Sequence, residues 1–365
     1  MSDLLEDLVG EILARVPLIS LKVVRCTCKN WNALSTARKQ FLGFMLMDSR
    51  VYSMKLDLQG IRNHGYIVNP SINQVSVFAQ VEISKVFHCH GLFLCVTKDQ
   101  KLVVWNPYLG QTRWIPRLRS FSIYDMLYGL GYDNYRNYHK ILRFGKREND
   151  FSWTEIYDCN SDSWRVVNDT ADWDMHHQSS MSLNGNTYFI AREKLTKDTE
   201  VEKNDAWSLL GFDYTAERFG PLLPLPFQSY AHHSSESVAL SCVRDEQLAL
   251  LFQRKDGMME IWITTKIDPK SVSWSMFLKV DTSPLPHFPG LVMAGTFFIC
   301  EEKKAVVVSS FRKNKDCCYK TAYITGKDGY FKSVDIGEAR IINGSTCMSV
   351  VKRDYRLSFY LVITY

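Results

Sequence analysis

Val104-Trp105-Asn106-Pro107-Tyr108-Leu109-Gly110-Gln111-Thr112-Arg113-Trp114-Ile115 is an apolar run, a polar turn and a second short run carrying an aromatic residue. Runs rich in valine, isoleucine and aromatics, bounded by Asn, Pro and Gly, read as paired strands. The pattern recurs as Ile156-Tyr157-Asp158 before Trp164 and Gly211-Phe212-Asp213 before Phe219. It returns as Ile263-Thr264-Thr265 before Trp274 and Tyr323-Ile324-Thr325 before Phe331. The turn-opening residues Asn106, Asp158, Asp213, Thr265 and Thr325 stand 52, 55, 52 and 60 residues apart. A period of about 50 residues is that of kelch-like propeller blades. One such sheet cannot bury both faces alone, so copies must stack.

Working outward, further strands are expected at Leu92 to Thr97, Leu102 to Asn106, Lys140 to Phe144, Thr187 to Ala191, Leu248 to Gln253, Ile261 to Thr265 and Ala305 to Ser309. No helical period intervenes after about residue 50, which argues for an all-β domain. Five units cover roughly residues 84–337, leaving strands at Phe44 to Val81 and at Ser345 to Tyr365. About six blades are therefore expected, the closing one shared between both ends of the chain. Seven blades, or a pair of β-sandwiches, are the weaker alternatives.

Residues 1–45 read differently. Leu5, Leu8, Val9, Ile12, Leu13 and Val16 form one apolar helical face. Asp3 with Glu6 resembles a capping box, Pro17 ends the helix, and Ser20 can cap a second helix over Leu21 to Cys28. A third turn or two runs through Trp31 and Leu34. Three short helices bury too little surface to be stable alone, so their apolar faces must dock on something. The fold class expected is thus α+β by domains: a helical module over 1–45 and a propeller-like domain over 46–365.

The stretch Leu4 to Leu21, with Cys28-Lys29-Asn30-Trp31, resembles the F-box, through its acidic-leucine step, Glu11-Ile12-Leu13, Pro17 and Ser20-Leu21. Leu5 stands where the family has proline, and Ile19 where lysine is common. Val104 to Ile115, Gly131-Tyr132-Asp133, Lys140-Ile141-Leu142-Arg143-Phe144, Ser163-Trp164-Arg165-Val166 and Glu217-Arg218-Phe219-Gly220-Pro221-Leu222 resemble the F-box-associated domain of a very large plant family. Ile156-Tyr157-Asp158 and Met259 to Thr264 continue the match. The resemblance implies a non-catalytic, substrate-recognition subunit of an SCF-type ubiquitin ligase. Its F-box would bind a Skp-type adaptor, and through it a cullin, and its β-domain a target protein. The adaptor-binding residues implied are Leu4, Leu8, Ile12, Leu13, Pro17 and Leu21, an apolar set suited to helix-in-groove docking. The alternatives are an interaction module outside any ligase, its F-box drifted, and a glycan-binding or enzymatic propeller.

Other chemistry finds little support. The net charge is +5 with 23% charged residues, which does not point to nucleic acid. The acidic start, with Asp3, Glu6, Asp7 and Glu11, is not that of a secretory signal. The longest uncharged run, Thr282 to Cys300, is broken by three prolines and two glycines, so no membrane helix is expected. An intracellular protein of the cytosol or nucleus follows, with its ten cysteines as thiols, mostly in strands. Cys26-x-Cys28 and Cys317-Cys318 lack the second pair of a zinc site. His88-Cys89-His90 puts two histidines on one face of an expected strand, better read as satisfying neighbouring blades than as metal ligands. His176-His177 and His232-His233 are expected in loops, and Arg312-Lys313-Asn314-Lys315 at a solvated hairpin tip. No phosphate loop, nucleophile elbow or HExxH pair is present, and no cofactor or metal is expected. Target contacts are expected in the segments Arg117 to Tyr124, Asp169 to His177, Glu193 to Asp205 and Gln228 to Ser237, since rigid scaffolds recognise through loops.

Overall fold

The computed structural model of the chain describes residues 41–47, 49–56, 71–107, 109–116, 126–146, 152–167, 173–193, 206–227, 236–243, 246–268, 270–285, 288, 297–301, 304–313, 318–327, 329–339 and 358–361. The expected F-box helices lie outside these residues. Among the described residues there are 24 strands and a short 3-10 turn at Ser76–Phe78. No described helix is long and apolar enough to cross a membrane.

The strands are β1 (Phe41–Met47), β2 (Arg50–Leu56), β3 (Ser71–Gln74), β4 (Ile83–Cys89), β5 (Leu92–Thr97), β6 (Leu102–Asn106) and β7 (Gln111–Ile115). Next come β8 (Leu127–Asp133), β9 (Tyr138–Lys146), β10 (Ser152–Asp158), β11 (Ser163–Val167), β12 (Trp173–Leu183), β13 (Asn186–Glu193), β14 (Ser208–Asp213) and β15 (Arg218–Pro224). The last are β16 (Ser237–Val243), β17 (Gln247–Gln253), β18 (Met258–Asp268), β19 (Ser271–Asp281), β20 (Phe297–Cys300), β21 (Ala305–Lys313), β22 (Cys318–Gly326), β23 (Phe331–Ala339) and β24 (Ser358–Leu361).

They form six four-stranded antiparallel sheets, the blades expected from the repeat. Five are meanders of consecutive strands. The sixth has the order β24-β1-β2-β3, so one blade is completed from both ends of the chain. Each repeated motif is the hairpin between third and fourth strands, pairing Val103 with Trp114, Tyr157 with Trp164, Phe212 with Phe219, Thr264 with Trp274 and Thr325 with Phe331. The fourth unit departs in detail. β18 continues to Asp268 through two register shifts, so its turn opens at Asp268 and not at Thr265.

The blades fall into two compact units, 1–116 with 358–365, and 117–357. In the first, Phe44, Phe78, Phe93 and Trp105 pack edge-on or tilted within one apolar cluster. In the second, β8 packs on β12 and β13, β12 on β16, and β16 on β20. Phe144, Phe189, Phe212 and Tyr214 fill the first of these contacts, and Leu240, Leu248, Leu250 and Phe252 belong to the second. Ala249, Leu251, Met259, Ile261, Val306 and Val308 form the third. Stacking buries both faces of the early strands. β5 and β17 are therefore buried along all but their first residue and read as unbroken apolar runs. The outermost β7 and β11 are mostly exposed and short, which blunts their free edges.

Candidate functional site

The adaptor-binding set Leu4, Leu8, Ile12, Leu13, Pro17 and Leu21 lies outside the described residues, as do Cys26, Cys28, His232 and His233. The described part of the second unit has two dissimilar ends. In the sheet β12–β15, Trp173 pairs with Glu193, and Ser208 with Pro224. These four strand ends therefore lie together, and the chain segments 168–172, 194–207 and 225–236 leave from them. At the opposite end the same sheet turns at Asn184-Gly185 and between Asp213 and Arg218. The sheet β8–β11 repeats this, with 117–126, 147–151 and 168–172 at one end and four-residue turns at the other. All four expected target-contact segments thus attach at the long-connection ends of their sheets. Two expectations are corrected. Residues 173–177, with His176 and His177, belong to β12, and Ser237 opens β16, so both strands extend into segments read as loops.

The tight-turn end has a common construction. Asp133 Oδ1 accepts the N–H groups of Tyr135 at 3.0 Å and Arg136 at 2.9 Å. Asp158 does the same for Asn160 and Ser161, Asp213 for Thr215 and Ala216, and Asp268 for Lys270 and Ser271. Asp133, Asp158, Asp213 and Asp268, each at the end of a strand, are therefore Asx caps. The residue closing three of these loops is left-handed, with φ of 62° at Asn137, 54° at Asp162 and 54° at Glu217. A type I turn followed by such a residue is a normal hairpin connection.

Between the blades β8–β11 and β12–β15 sits a buried ion cluster that the sequence reading missed. Lys140, fully buried, donates to Asp133 Oδ2 at 2.6 Å, to Glu217 Oε1 at 2.7 Å and to the Tyr214 carbonyl at 2.9 Å. Glu217 also pairs with Arg165. The Tyr138 hydroxyl donates to Asp158 at 2.7 Å. Burial pushes the Asp133 and Glu217 carboxyls up. For Asp133 the Lys140 ammonium and the turn N–H groups outweigh this, for Glu217 the Arg165 and Lys140 cations, and both titrate below their ordinary values. Burial pulls Lys140 down, but its carboxylate partners leave it raised. All three ammonium protons have acceptors, as a buried cation requires. The signal was present: two cations, Lys140 and Arg143, stand in the otherwise apolar run Lys140 to Phe144, and such residues are buried only when paired. Arg143 pairs with Glu155 and lies over the Trp153 and Trp164 rings at 5.2 and 4.4 Å.

The remaining candidates resolve as architecture. His88 ends near the tip of β4, where its Nε2 accepts the Gly91 N–H at 3.1 Å. His90 lies in the turn with φ 45°, so the two histidines do not share a strand face as expected. Among the described residues no group of three or more His, Cys, Asp or Glu could hold a metal. Cys89, Cys95, Cys242 and Cys300 are thiols in strands, and Cys159 lies in a turn. Burial pushes the Cys95 thiol up, away from reactivity. Arg312 and Lys313 are the last residues of β21, where it pairs with the start of β22 beside the expected hairpin connection.

Residues 42–353 match the family described as F-box associated beta propeller domain, and residues 1–41 match the F-box domain. The F-box protein At1g59680 of Arabidopsis thaliana is 50% identical over 92% of this chain and 92% of its own length. The F-box/kelch-repeat protein At3g13680 of the same plant is 50% identical over 93% and 89%. Among solved structures, AofleA from Arthrobotrys oligospora overlaps 82% of this chain and 87% of its own at a TM-score of 0.43 and 6% identity. Six blades with the repeated hairpin, and family matches spanning nearly the whole length, give one conclusion: the chain belongs to the F-box proteins that carry an F-box-associated β-propeller domain.

Proposed function

We propose that this chain is the substrate-recognition subunit of an SCF-type ubiquitin ligase. The observation that carries the reading is the pairing, in one chain, of an F-box match at residues 1–41 with an associated propeller match at 42–353. Leu4, Leu8, Ile12, Leu13, Pro17 and Leu21 would dock in a Skp-type adaptor and so reach a cullin, in the cytosol or nucleus. The propeller would hold a target protein through segments within 117–124, 169–177, 193–205 and 228–237, all attached at the long-connection ends of their sheets. The subunit would supply no catalytic group. Its contribution is effective concentration and orientation of the target.

The test is co-purification of the full chain with a Skp-type adaptor, wild type against Leu8→Asp combined with Pro17→Ala. The wild type should bind, and the double variant should lose the adaptor. An unbound wild type, or a variant that binds equally, refutes the reading.

A further inference from the structure

The first unit fixes the end at which the chain ahead of β1 joins the propeller. Ile83 opens β4, and its N–H donates to the Ser49 carbonyl at 2.8 Å, so the β1–β2 turn sits beside the start of β4. β1 runs back from that turn, and Phe41, paired with Leu56, stands about 20 Å away from it. The corresponding end of the neighbouring sheet holds the Cys89–Leu92 turn and the Asn106–Gln111 turn. Residues 1–40 therefore join the propeller at the end where the β6–β7 hairpin has its tip.

That hairpin carries apolar surface the blades do not use. Among the described residues of the first unit the exposed large hydrophobic side chains are Val77, Leu109 and Trp114, and two of the three belong to this hairpin. Leu109 is 58% exposed at the tip, where its N–H bonds the Asn106 side chain at 3.2 Å, a cap that any residue with a backbone N–H would accept. Trp114 is 49% exposed. It pairs with Val103 and so shares a sheet face with it, and Val103 belongs to the same apolar cluster as Phe44 and Leu46 of β1. Trp114 thus stands on the sheet face that meets β1, the strand residues 1–40 lead into. The fourth-strand aromatics of two sibling sheets are used by the fold: Trp164 packs on Arg143 and Tyr157, and Phe219 on Phe144 and Phe212. The other exposed apolar residues of outer strands, Val166 and Met276, stand singly on theirs.

We propose that residues 1–40 of this chain dock on the β6–β7 hairpin, covering Leu109 and Trp114 and fixing the helical module against the propeller. The attachment at Phe41 identifies the occupant, since a short tether holds a segment at about millimolar effective concentration. Its composition fits the surface. The helices expected there bury too little to stand alone. The adaptor-binding set uses only part of their apolar residues, leaving Val9, Val16, Val24, Trp31 and Leu34 for another contact. The docking would set the direction from adaptor to target by packed surfaces and not by a free linker. It rests on the F-box match at residues 1–41, and not on adaptor binding.

The test places a benzophenone photocrosslinker at position 109 and, separately, at position 114 of the full chain, and irradiates each in a mixture with isotope-labelled chain. The crosslinked peptides should map to residues 1–40 of the same molecule. Leu109→Asp combined with Trp114→Thr should speed hydrogen exchange in residues 1–40 by about tenfold or more, while the propeller strands keep their protection. Val166→Thr, an exposed outer-strand change on another sheet, should leave residues 1–40 as in the wild type. The proposal is overturned if the crosslinks from both positions fall elsewhere, join labelled to unlabelled chains or do not form, or if residues 1–40 exchange equally in the double variant and the wild type. The crosslinks alone decide it if the double variant does not fold. Failure to co-purify with an adaptor would refute the ligase reading and leave these outcomes unchanged.

Discussion

Replacing Lys140 by methionine tests whether the buried ion cluster holds two blades together. The ammonium makes three hydrogen bonds, of 2.6, 2.7 and 2.9 Å, two of them to the neighbouring blade. Methionine fills similar volume but leaves the Asp133 carboxylate buried without its cation. Removing one partner of a buried pair costs about 3–5 kcal/mol. The lower end applies here, because Glu217 keeps Arg165 and Asp133 keeps two turn N–H groups. About 3 kcal/mol corresponds to a fall of about 6–12 °C in melting temperature for a unit of this size. Adding Asp133→Asn removes the stranded charge while keeping the turn acceptor, and should recover about half of the loss or more. Thermal and urea unfolding of the three proteins would read this, with unchanged urea m-values as the check on comparability. A Lys140→Met loss below about 1 kcal/mol, or a double variant no better than the single one, would show that the cluster is not a clasp.

Other outcomes follow from the same structure. Asp133, Glu217 and Asp158 titrate low in the folded chain, so their stabilisation is complete above about pH 5 and is lost as pH falls through the folded values. Lys140 is raised, so its share is present below about pH 10 and lost only above that. Melting temperature should therefore be flat near neutrality and drop in acid, with a shallower acid drop in Lys140→Met, measured by scanning fluorimetry across pH. Gly131→Ala should destabilise by about 3 kcal/mol or prevent folding, because a Cβ there would lie 2.0 Å from the Tyr214 ring and 2.6 Å from the Gly185 carbonyl. Soluble yield and melting temperature check it, and a wild-type melting point would refute it. Arg143→Lys keeps the charge opposite Glu155 but gives up the planar stack against Trp153 and Trp164. A loss of about 1–2 kcal/mol in urea unfolding is expected.

What the sequence disclosed depended on how local the cause was. β5 and β6 match their expected bounds from Leu92 to Thr97 and from Leu102 to Asn106, because early blade strands are apolar throughout. The closing blade was legible because five repeats left strands unassigned at both ends. β12 was partly missed. Its start, Trp173-Asp174-Met175-His176-His177, alternates apolar and polar residues over only four positions and is defined by pairing with β13. The end of β18 was misplaced because its ladder continues past two register shifts into Lys266, Ile267 and Asp268. The ion cluster joins Lys140 to Glu217 across 77 residues, and no periodicity reports a contact of that span. The histidine pair at 88 and 90 failed for the opposite reason: one left-handed residue at the turn removed His90 from the strand.

The two ends of the blades have different physical tasks, and the repeated motif explains why only one of them was written clearly. A four-stranded meander has two connections at one end. At the other it has one internal connection and the links to adjacent sheets. In the second unit the first end is fixed by Asx caps, left-handed closing residues and the Lys140 cluster. The caps need a particular residue type, so Asp158, Asp213 and Asp268 recur 55 residues apart, while the Lys140 cluster occurs once and left no repeat to read. At the second end of β8–β11 and β12–β15 no such cap stands among the described residues, and loop length carries only a slowly rising entropic cost; in β16–β19 that end does have a built turn at Asp256-Gly257. In the first two sheets length can therefore change there at little entropic cost to the blades.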